Sequence, residues 1–159
     1  MNDNSLITPV IPQLKYFARL QVEVGQPTSI STDKNGERKL IPIVGGEISG
    51  ELQGKILSGG SDAIVIRPDG CAVLNARYCV TLSNGNHIYI EDRGFRHGPE
   101  FVMARLAQGQ PVNPAQYYFR TSMTMETNDK DLAWLNKTLF IGSGCRQQKQ
   151  VIIDLFQVQ

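Results

Sequence analysis

Alternating apolar and polar residues run through most of this chain and predict a protein built mainly from β-strands. The first clear example spans residues 15–24, where every second residue is apolar: Tyr16, Ala18, Leu20, Val22 and Val24. A period of two is typical of a strand with one buried face. By similar reasoning we predict further strands at residues 40–44, 63–67, 71–82, 86–92, 117–127, 138–142 and 150–158.

Glycine interrupts the pattern most densely between residues 45 and 62, at Gly45-Gly46, Gly50, Gly54 and Gly59-Gly60. The glycines predict short strands broken where a sheet bends sharply. Turn sequences at residues 68–70 and 83–85 link the following strands into a meander, and residues 26–38 form a loop or a hairpin tip. The pattern therefore favours a mainly β fold, a single antiparallel closed or nearly closed β-barrel, over an open sheet.

Two segments depart from the strand pattern and predict one or two short helices. Residues 99–108 begin with Pro99, carry apolar residues at helical spacing, and end at Gly109. Residues 129–136 predict a helix of one or two turns. Before the first strand, residues 1–14 contain Pro9 and Pro12 and predict an extended N-terminal arm, which leaves residues 15–159 as a single barrel domain.

Composition narrows the classes of partner. A formal net charge of +1, with 41% hydrophobic and 19% charged residues, gives no general attraction to nucleic acid or to a membrane, so neither is predicted as a partner. Three cysteines without a C-x-x-C spacing indicate neither a disulfide framework nor a zinc site, and fit a reducing compartment. Because the N-terminal sequence lacks a signal-peptide pattern and no apolar run is long enough to cross a bilayer, we predict a cytoplasmic protein.

Searches for cofactor and metal motifs fail. Residues 45–50 have the G-x-x-x-x-G spacing of a phosphate loop, but Glu51 and Leu52 follow where Lys and Ser or Thr are needed. Gly142 and Gly144 do not continue as a dinucleotide-binding fingerprint. The two histidines, His87 and His97, lie ten residues apart without a cysteine at ligand spacing. We therefore predict no cofactor and no metal.

The remaining candidates are polar residues on strands. Arg77 and Arg120 each lie on the face opposite to the more apolar one, and Glu126 shares its strand face with Arg120. On periodicity alone the favoured interpretation is that these residues and Glu91 form solvated charge pairs on the barrel exterior. The alternative interpretation places them in the mouth of the barrel, where an arginine could hold an anionic oxygen and a carboxylate could move a proton.

An ordered set of motifs between residues 14 and 158 resembles an uncharacterised β-barrel family, domain of unknown function 3237, also catalogued as uncharacterised protein family 0311. The motifs are Gly36-Glu-Arg38, Pro42-Ile-Val-Gly-Gly46, Gly54-Lys-Ile-Leu-Ser-Gly-Gly-Ser-Asp62, Pro68-Asp-Gly70, Asn75-Ala-Arg-Tyr78, Tyr118-Phe-Arg-Thr121, Glu126-Thr127 and Trp134-Leu-Asn136. The resemblance implies a single-domain barrel found in bacteria and fungi, without an assigned cofactor. Ala63 departs from the family, which often has tryptophan there.

Because several of these residues fall on the recurring motifs, the resemblance favours a pocket. The expected catalytic residues are Asp62 and Glu126, and the expected ligand-binding residues are Arg38, Arg77, Tyr118, Arg120 and Trp134. The leading hypothesis is a cofactor-free enzyme of the isomerase or cyclase type, acting by proton transfer on a small oxygenated or aromatic compound. The alternatives are a carrier or sensor of small molecules and an interaction barrel with a packed interior. Apolar residues on both faces of the first strand, such as Phe17 beside Ala18, predict a homodimer or higher oligomer.

Overall fold

The computed structural model describes residues 7–159, which form one antiparallel sheet of ten strands, one α-helix and two 3₁₀ turns. The strands are β1 (Leu14–Val24), β2 (Thr28–Asp33), β3 (Gly36–Gly50), β4 (Gly54–Ile56), β5 (Gly60–Ile66), β6 (Ala72–Leu82), β7 (His87–His97), β8 (Tyr118–Thr127), β9 (Phe140–Arg146) and β10 (Gln150–Val158). The helix α1 spans Glu100–Ala107, and the 3₁₀ turns span Pro114–Gln116 and Ala133–Lys137.

The sheet closes on itself into an eight-stranded barrel, which confirms the predicted fold class. Closure depends on β1, which pairs with β10 on one side and with β3 on the other. The short strands β4 and β5 share one position in the barrel wall, since both lie between β3 and β6. Strand β2 pairs with β3 in a hairpin, so residues 26–38 contain the hairpin that the sequence left as one of two options.

Strand β3 is continuous through the glycine-rich stretch, so the prediction of a break at Gly45-Gly46 is wrong. Its first half pairs with β2 and β5 and its second half with β1 and β4. Gly46 lies where the strand changes partners, with φ of 125°, a backbone conformation that residues with side chains rarely adopt. The glycines therefore bend one long strand around the barrel.

Strand β1 contains a bulge that the sequence pattern did not reveal. The pairing with β10 shifts register between Tyr16 and Ala18, and as a result Phe17 and Ala18 are both buried. Tyr16, predicted to share the face of Ala18, is about half exposed instead. The bulge removes the main reason for expecting an apolar outer face on β1, and the number of subunits stays a prediction.

The first predicted helix is confirmed as α1, with Gly109 just beyond its end at φ of 73°. The second is shorter and tighter than predicted, a five-residue 3₁₀ turn at Ala133–Lys137. Within residues 7–159, no helix has the length and apolarity needed to cross a bilayer. The N-terminal arm was predicted over residues 1–14, of which residues 1–6 lie outside the described part; residues 7–13 are exposed and extend to the start of β1.

The barrel interior contains two apolar clusters. The larger lies toward the Ala133–Lys137 turn and is centred on fully buried side chains such as Leu20, Ile88 and Phe140. The smaller includes Leu74 and Phe119 from the barrel wall, together with Val102 and Leu106 from α1, which covers this end of the barrel. The candidate site lies between the two clusters.

Candidate functional site

A cavity of about 490 Å³ lies inside the barrel, on the side covered by α1. Its walls take residues from both apolar clusters, among them Val22, Ile43 and Phe119. The mouth is formed by three loops, whose exposed members are Gln26, Pro27, Gln108, Gln147, Gln148 and Lys149. The volume falls in the range of small-molecule sites in proteins, and the barrel interior is therefore not packed solid.

Six polar side chains line the cavity from five neighbouring strands: Asp62 on β5, Tyr78 on β6, Asp92 and Arg96 on β7, Thr121 on β8 and Arg146 on β9. Strand alternation places them there. On β7 the inward positions run in steps of two from Ile88 through Asp92 to Arg96, so the first half of this strand faces the apolar core and the second half faces the cavity. The strand alternation that places apolar side chains in the core therefore also places these polar side chains in the cavity.

Four of these residues carry a buried polar atom without a hydrogen-bond partner among residues 7–159. The atoms are the Tyr78 hydroxyl, Asp92 Oδ1, Arg96 Nε and Thr121 Oγ1. The Thr121 hydroxyl lies close enough to Asp92 to favour its ionised form, but the two groups do not form a hydrogen bond of normal geometry. Buried polar atoms in native proteins are nearly always paired, and leaving one unpaired costs about 1–3 kcal/mol. Four such atoms around one cavity indicate an interior suited to a polar guest.

Asp62 occupies a gap in the barrel wall. The pairing between β5 and β6 skips Ala63 and Ile64, and the backbone N–H of Asn75 donates instead to Asp62 Oδ1 at 2.9 Å. Burial raises the pKa of the Asp62 carboxyl above its usual value, while the Asn75 N–H and the charge of Arg96 oppose that rise. Asp62 is therefore a partly buried carboxyl with one fixed hydrogen bond.

Asp92 is the most strongly perturbed acid of the cavity. Burial raises the pKa of Asp92 to about 7, and the neighbouring charge of Asp62 adds to the rise, while the Thr121 hydroxyl opposes it. Burial also raises the pKa of Tyr78 well above its usual value, with further contributions from Asp92 and Asp62. Near neutral pH the cavity thus contains a carboxyl that can accept or release a proton and a phenol that keeps its own.

Two arginines provide positive charge to the same cavity. Burial lowers the pKa of Arg96 to about 10, and the charge of Arg146 lowers it further, whereas Asp62 acts in the opposite direction. Burial likewise lowers the pKa of Arg146, which lies at the end of β9. The guanidinium carbon of Arg96 lies 5.5 Å from the centre of the Phe119 ring, so the aromatic face supports the charged group from one side.

Glycines on β9 provide the space for this arrangement. Gly142 and Gly144 both face inward, and a Cβ atom on Gly142 would collide with the Thr121 hydroxyl. A Cβ atom on Gly144 would lie 2.5 Å from Cδ1 of Phe119. The G-x-G sequence that fails as a nucleotide fingerprint therefore has another use, because it leaves room for the side chains that shape the cavity.

We expect Gly144→Ala to displace the Phe119 ring and to destabilise the fold by about 1–3 kcal/mol, the usual cost of overpacking. Urea denaturation measures the loss. Gly45→Ala is the matched control, since the nearest atom to a Cβ there is the Glu23 carboxylate, 3.1 Å away at the free end of a flexible side chain. Equal stability of the two variants would contradict a tight contact at Gly144.

Of the seven residues expected from the sequence, only Asp62 lines the cavity. Arg77 is 54% exposed and lies 3.9 Å from Glu91 on the barrel exterior. Exposed positions are also occupied by Arg38, whose Nη1 donates to the Ala63 carbonyl, and by Glu126. The exterior interpretation of these strand charges thus matches where the structure places them.

The predicted aromatic residues also lie away from the cavity. Tyr118 is 46% exposed on the outer face of β8, where its ring stacks on His97 and lies 5.8 Å from the guanidinium carbon of Arg120. Trp134 packs at the far end of the barrel, with its ring centroid 5.6 Å from that of Phe17. Both side chains therefore belong to surfaces other than the cavity wall.

The sequence did not single out the other polar residues of the cavity, which are Tyr78, Asp92, Arg96, Thr121 and Arg146. Tyr78 was included only as the last residue of a family motif. One signal was present: Asp92 and Arg96 are polar residues in phase with the buried Ile88 and Ile90. The predicted strand ended at Asp92, five residues before the observed end of β7, so Arg96 was assigned to no face. Polar residues in phase with an apolar face are the pattern expected for the lining of an internal cavity.

These features define a closed antiparallel β-barrel whose internal cavity has an apolar wall and a group of polar side chains, a class that often holds small ligands. The chain belongs to the family described as "Protein of unknown function (DUF3237)", which matches residues 12–158. A UPF0311 protein from Rhodopseudomonas palustris strain TIE-1 is 39% identical to it over 153 residues, which cover 96% of this chain and 99% of that one.

Solved structures agree in fold. A conserved protein of unknown function from Rhodopseudomonas palustris has a TM-score of 0.89 and 37% identity, covering 96% of this chain and all 100% of that chain. A more distant structure, described as an enzyme from Penicillium herquei, has a TM-score of 0.73 at 16% identity and covers 96% of this chain and 98% of that chain. The second similarity extends to the fold alone.

Proposed function

We propose that this protein binds a small oxygenated molecule inside the barrel and catalyses a proton transfer on it without a cofactor, as in an isomerisation or a cyclisation. The observation that carries the proposal is the set of four unpartnered buried polar atoms around one cavity, next to a carboxyl whose pKa lies near 7. A general acid or base works best when its pKa is near the working pH. The distant structure described as an enzyme supports the proposal only through the shared fold.

The roles expected from the sequence pass to residues that line the cavity. Asp92 takes the place proposed for Glu126 as the group that removes a proton from the substrate and returns it at another atom. Arg96 takes the place of Arg77 and Arg120 and balances the negative charge that develops on the substrate oxygen. Tyr78 keeps its proton and can donate a hydrogen bond to the same oxygen.

Asp62, which the sequence predicts to be catalytic, acts in this proposal through its charge on neighbouring groups. Its charge raises the pKa of Asp92 and attracts Arg96, so it tunes both groups. The proton that leaves the substrate ends on Asp92 and is returned to the product, and the reaction needs no oxidant, reductant or second substrate. Apolar residues such as Ile43 and Leu74 exclude water from the reacting atoms.

The second candidate function is a carrier or sensor that binds a small molecule and does not convert it. The observation in its favour is the mostly aliphatic wall of the cavity, which can hold the apolar part of a ligand whether or not a reaction follows. Carrier and enzyme share the cavity but differ in what Asp92 does. Proton exchange on a bound probe separates them.

The test uses two enolisable ketones, α-tetralone and 2-indanone, as probes in D₂O. The protein is expected to accelerate exchange of the protons next to the carbonyl group, followed by ¹H NMR. Asp92→Asn should lower the acceleration by roughly 100-fold or more, the usual contribution of a general base. Glu126→Gln, which alters an exposed carboxyl on the outer face of β8, should exchange at the wild-type rate.

Ligand-observed NMR on the same samples reports binding independently of exchange. Binding without accelerated exchange would replace the enzyme by the carrier. Exchange that survives in Asp92→Asn would remove Asp92 from its proposed role. Absence of both binding and exchange with either ketone would count against a cavity that accepts small oxygenated rings.

A further inference from the structure

The two arginines of the cavity lack the carboxylate partners that buried arginines ordinarily have. Among residues 7–159, every ion pair found within 4 Å involves other arginines or lysines. Arg96 is only 6% exposed, and its Nε has no hydrogen-bond partner in the same range. A buried guanidinium without a partner is unfavourable unless another anion satisfies it.

Arg146 adds a second positive charge to the cavity, near the unpaired Arg96. Its charge lowers the pKa of Arg96, and both side chains line the same cavity, so the two positive charges act against each other there. The backbone N–H of Arg146 donates to the Tyr117 hydroxyl at 3.0 Å, which fixes the end of β9 next to the mouth. Phe119 supports Arg96 from one face, and Arg96 Nε has no hydrogen-bond partner in the described part of the chain. Two arginines that line one cavity, one of them buried with an unpartnered Nε, are typical of an anion site.

The charge balance of the cavity sets the charge of its guest. Arg96 and Arg146 contribute two positive charges, and Asp62 contributes one negative charge when ionised. Asp92 is close to half-protonated near pH 7, and Tyr78 stays neutral. Without the exposed Lys149 at the mouth, whose charge is screened by solvent, these groups sum to between zero and one positive charge. A guest with one negative charge brings this sum to between minus one and zero and leaves Asp92 free to ionise, as its role as a base requires, whereas a dianion brings the sum to between minus two and minus one.

We infer that Arg96 and Arg146 form an anion subsite that takes the carboxylate of a monoanionic organic acid, whose apolar body lies against the aliphatic wall. This inference deepens the proposed function and rests on it, since both concern the same cavity. It adds the class of substrate: an acid whose carboxylate is held toward the mouth by Arg146 and toward the interior by Arg96. The reacting atom then lies within the part of the cavity lined by Asp92 and Tyr78.

Three probes with one common body test the inference: 2-naphthoate, 2-naphthalenemethanol and 2-naphthyl phosphate. Their dissociation constants are measured by isothermal titration calorimetry at pH 7. The wild-type protein should bind the carboxylate at least about 10-fold more tightly than the alcohol, the ratio expected for a charge-assisted hydrogen bond in a buried site. It should also bind the carboxylate more tightly than the phosphate.

Variants locate the preference. Arg146→Gln should bring the ratio between carboxylate and alcohol close to one without weakening the alcohol, and Arg96→Gln should do the same. Arg120→Gln is the matched control, because it removes an exposed arginine from the outer face of β8 and should keep the wild-type ratio. Thermal denaturation of each variant confirms that it is folded before binding is compared.

The outcomes separate the two proposals. Binding of the alcohol as tightly as the carboxylate, or an unchanged preference in Arg146→Gln, overturns the anion subsite and leaves the proposed pocket in place. Tighter binding of the phosphate overturns the assignment to a monoanion. Failure of all three probes to bind overturns the subsite, while the ketone experiment judges the proposed function separately.

Discussion

Asp92→Asn is expected to make the folded protein more stable by about 2–4 kcal/mol at pH 8 and to leave its stability at pH 4 nearly unchanged. The reason is the difference between the pKa of about 7 for Asp92 in the folded protein and the ordinary value of 3.8. Between these two pH values the unfolded chain loses the Asp92 proton while the folded protein keeps it. The folded state therefore binds more protons, and its stability falls as the pH rises from about 4 to 7.

Asparagine cannot ionise, so the variant should lose most of this decline. Urea denaturation at pH 4, 6 and 8 measures it as a difference that grows with pH. The remaining slope has a contribution of the same sign from Asp62, whose pKa is also raised. Arg96, Arg146 and Tyr78 also face the cavity, but their charge states change outside this pH window.

Glu126→Gln provides the control. It removes an exposed carboxyl from β8, the strand that pairs with β7, and should change stability by less than about 0.5 kcal/mol at each pH. A stability difference between Asp92→Asn and wild type that stays constant from pH 4 to pH 8 would show that ionisation of Asp92 is not the cause. A gain in stability together with loss of proton exchange is the combination expected of a residue kept for function.

Phe140→Ala should produce the largest loss of stability, about 3–5 kcal/mol. Phe140 is completely buried in the larger apolar cluster, with its ring centroid 5.1 Å from that of Phe17 and 6.1 Å from that of Trp134. The substitution leaves a cavity that neighbours on several strands cannot fill without moving the barrel wall. Urea denaturation at constant pH measures the loss as a lower midpoint with a similar slope.

Phe101→Ala is the matched control for the same chemical change. Phe101 lies on α1 and is 66% exposed, so its removal should change stability by no more than about 0.5 kcal/mol. A loss below about 1 kcal/mol for Phe140→Ala would mean that the aromatic cluster does not stabilise this end of the barrel. Since Phe140 is not part of the cavity lining, its variant should retain the binding preferences of the wild type.

Much of the fold could be predicted because strand alternation is a local property. The apolar positions of β6, from Ala72 to Leu82, are read directly from the sequence, and the same pattern places Arg77 on the outside. The bulge at Phe17 could not be read in this way. A bulge inserts one residue without changing composition, and only the pairing of β1 with β10 reveals that both Phe17 and Ala18 face inward.

The candidate site could be predicted only in part because it depends on closure of the barrel. Asp62 and Asp92 are thirty positions apart in the chain and interact only because β6 lies between their two strands. Arg146 lies on β9, which is on the other side of β7 from the Asp62 strand in the order of the sheet. Charged residues on outward positions, such as Arg120, look equally promising in a sequence, since the chemistry of a side chain does not reveal which face is enclosed.

The family motifs likewise favoured residues that lie outside the cavity. They favoured Arg38, Arg77 and Glu126, all of which are exposed on the barrel exterior. A motif in such a strand includes neighbours that face opposite sides, so a recurring pattern marks both the inward and the outward residue. In Asn75-Ala-Arg-Tyr78 the cavity residues are Ala76 and Tyr78, not Arg77. Separating the two faces requires the register of the sheet.

The division of the interior into two apolar clusters has a consequence for how the empty protein opens. The cavity lies between the clusters, with Val151 packed against both, so the barrel has least side-chain packing where the site lies. We therefore expect the end covered by α1 to open more readily than the end that contains Phe140. A guest in contact with both clusters would bridge this region and link the two ends into one cooperative unit. Amide hydrogen exchange should then slow across β6 and β7 as a whole when the site is filled, because the guest itself becomes part of the core.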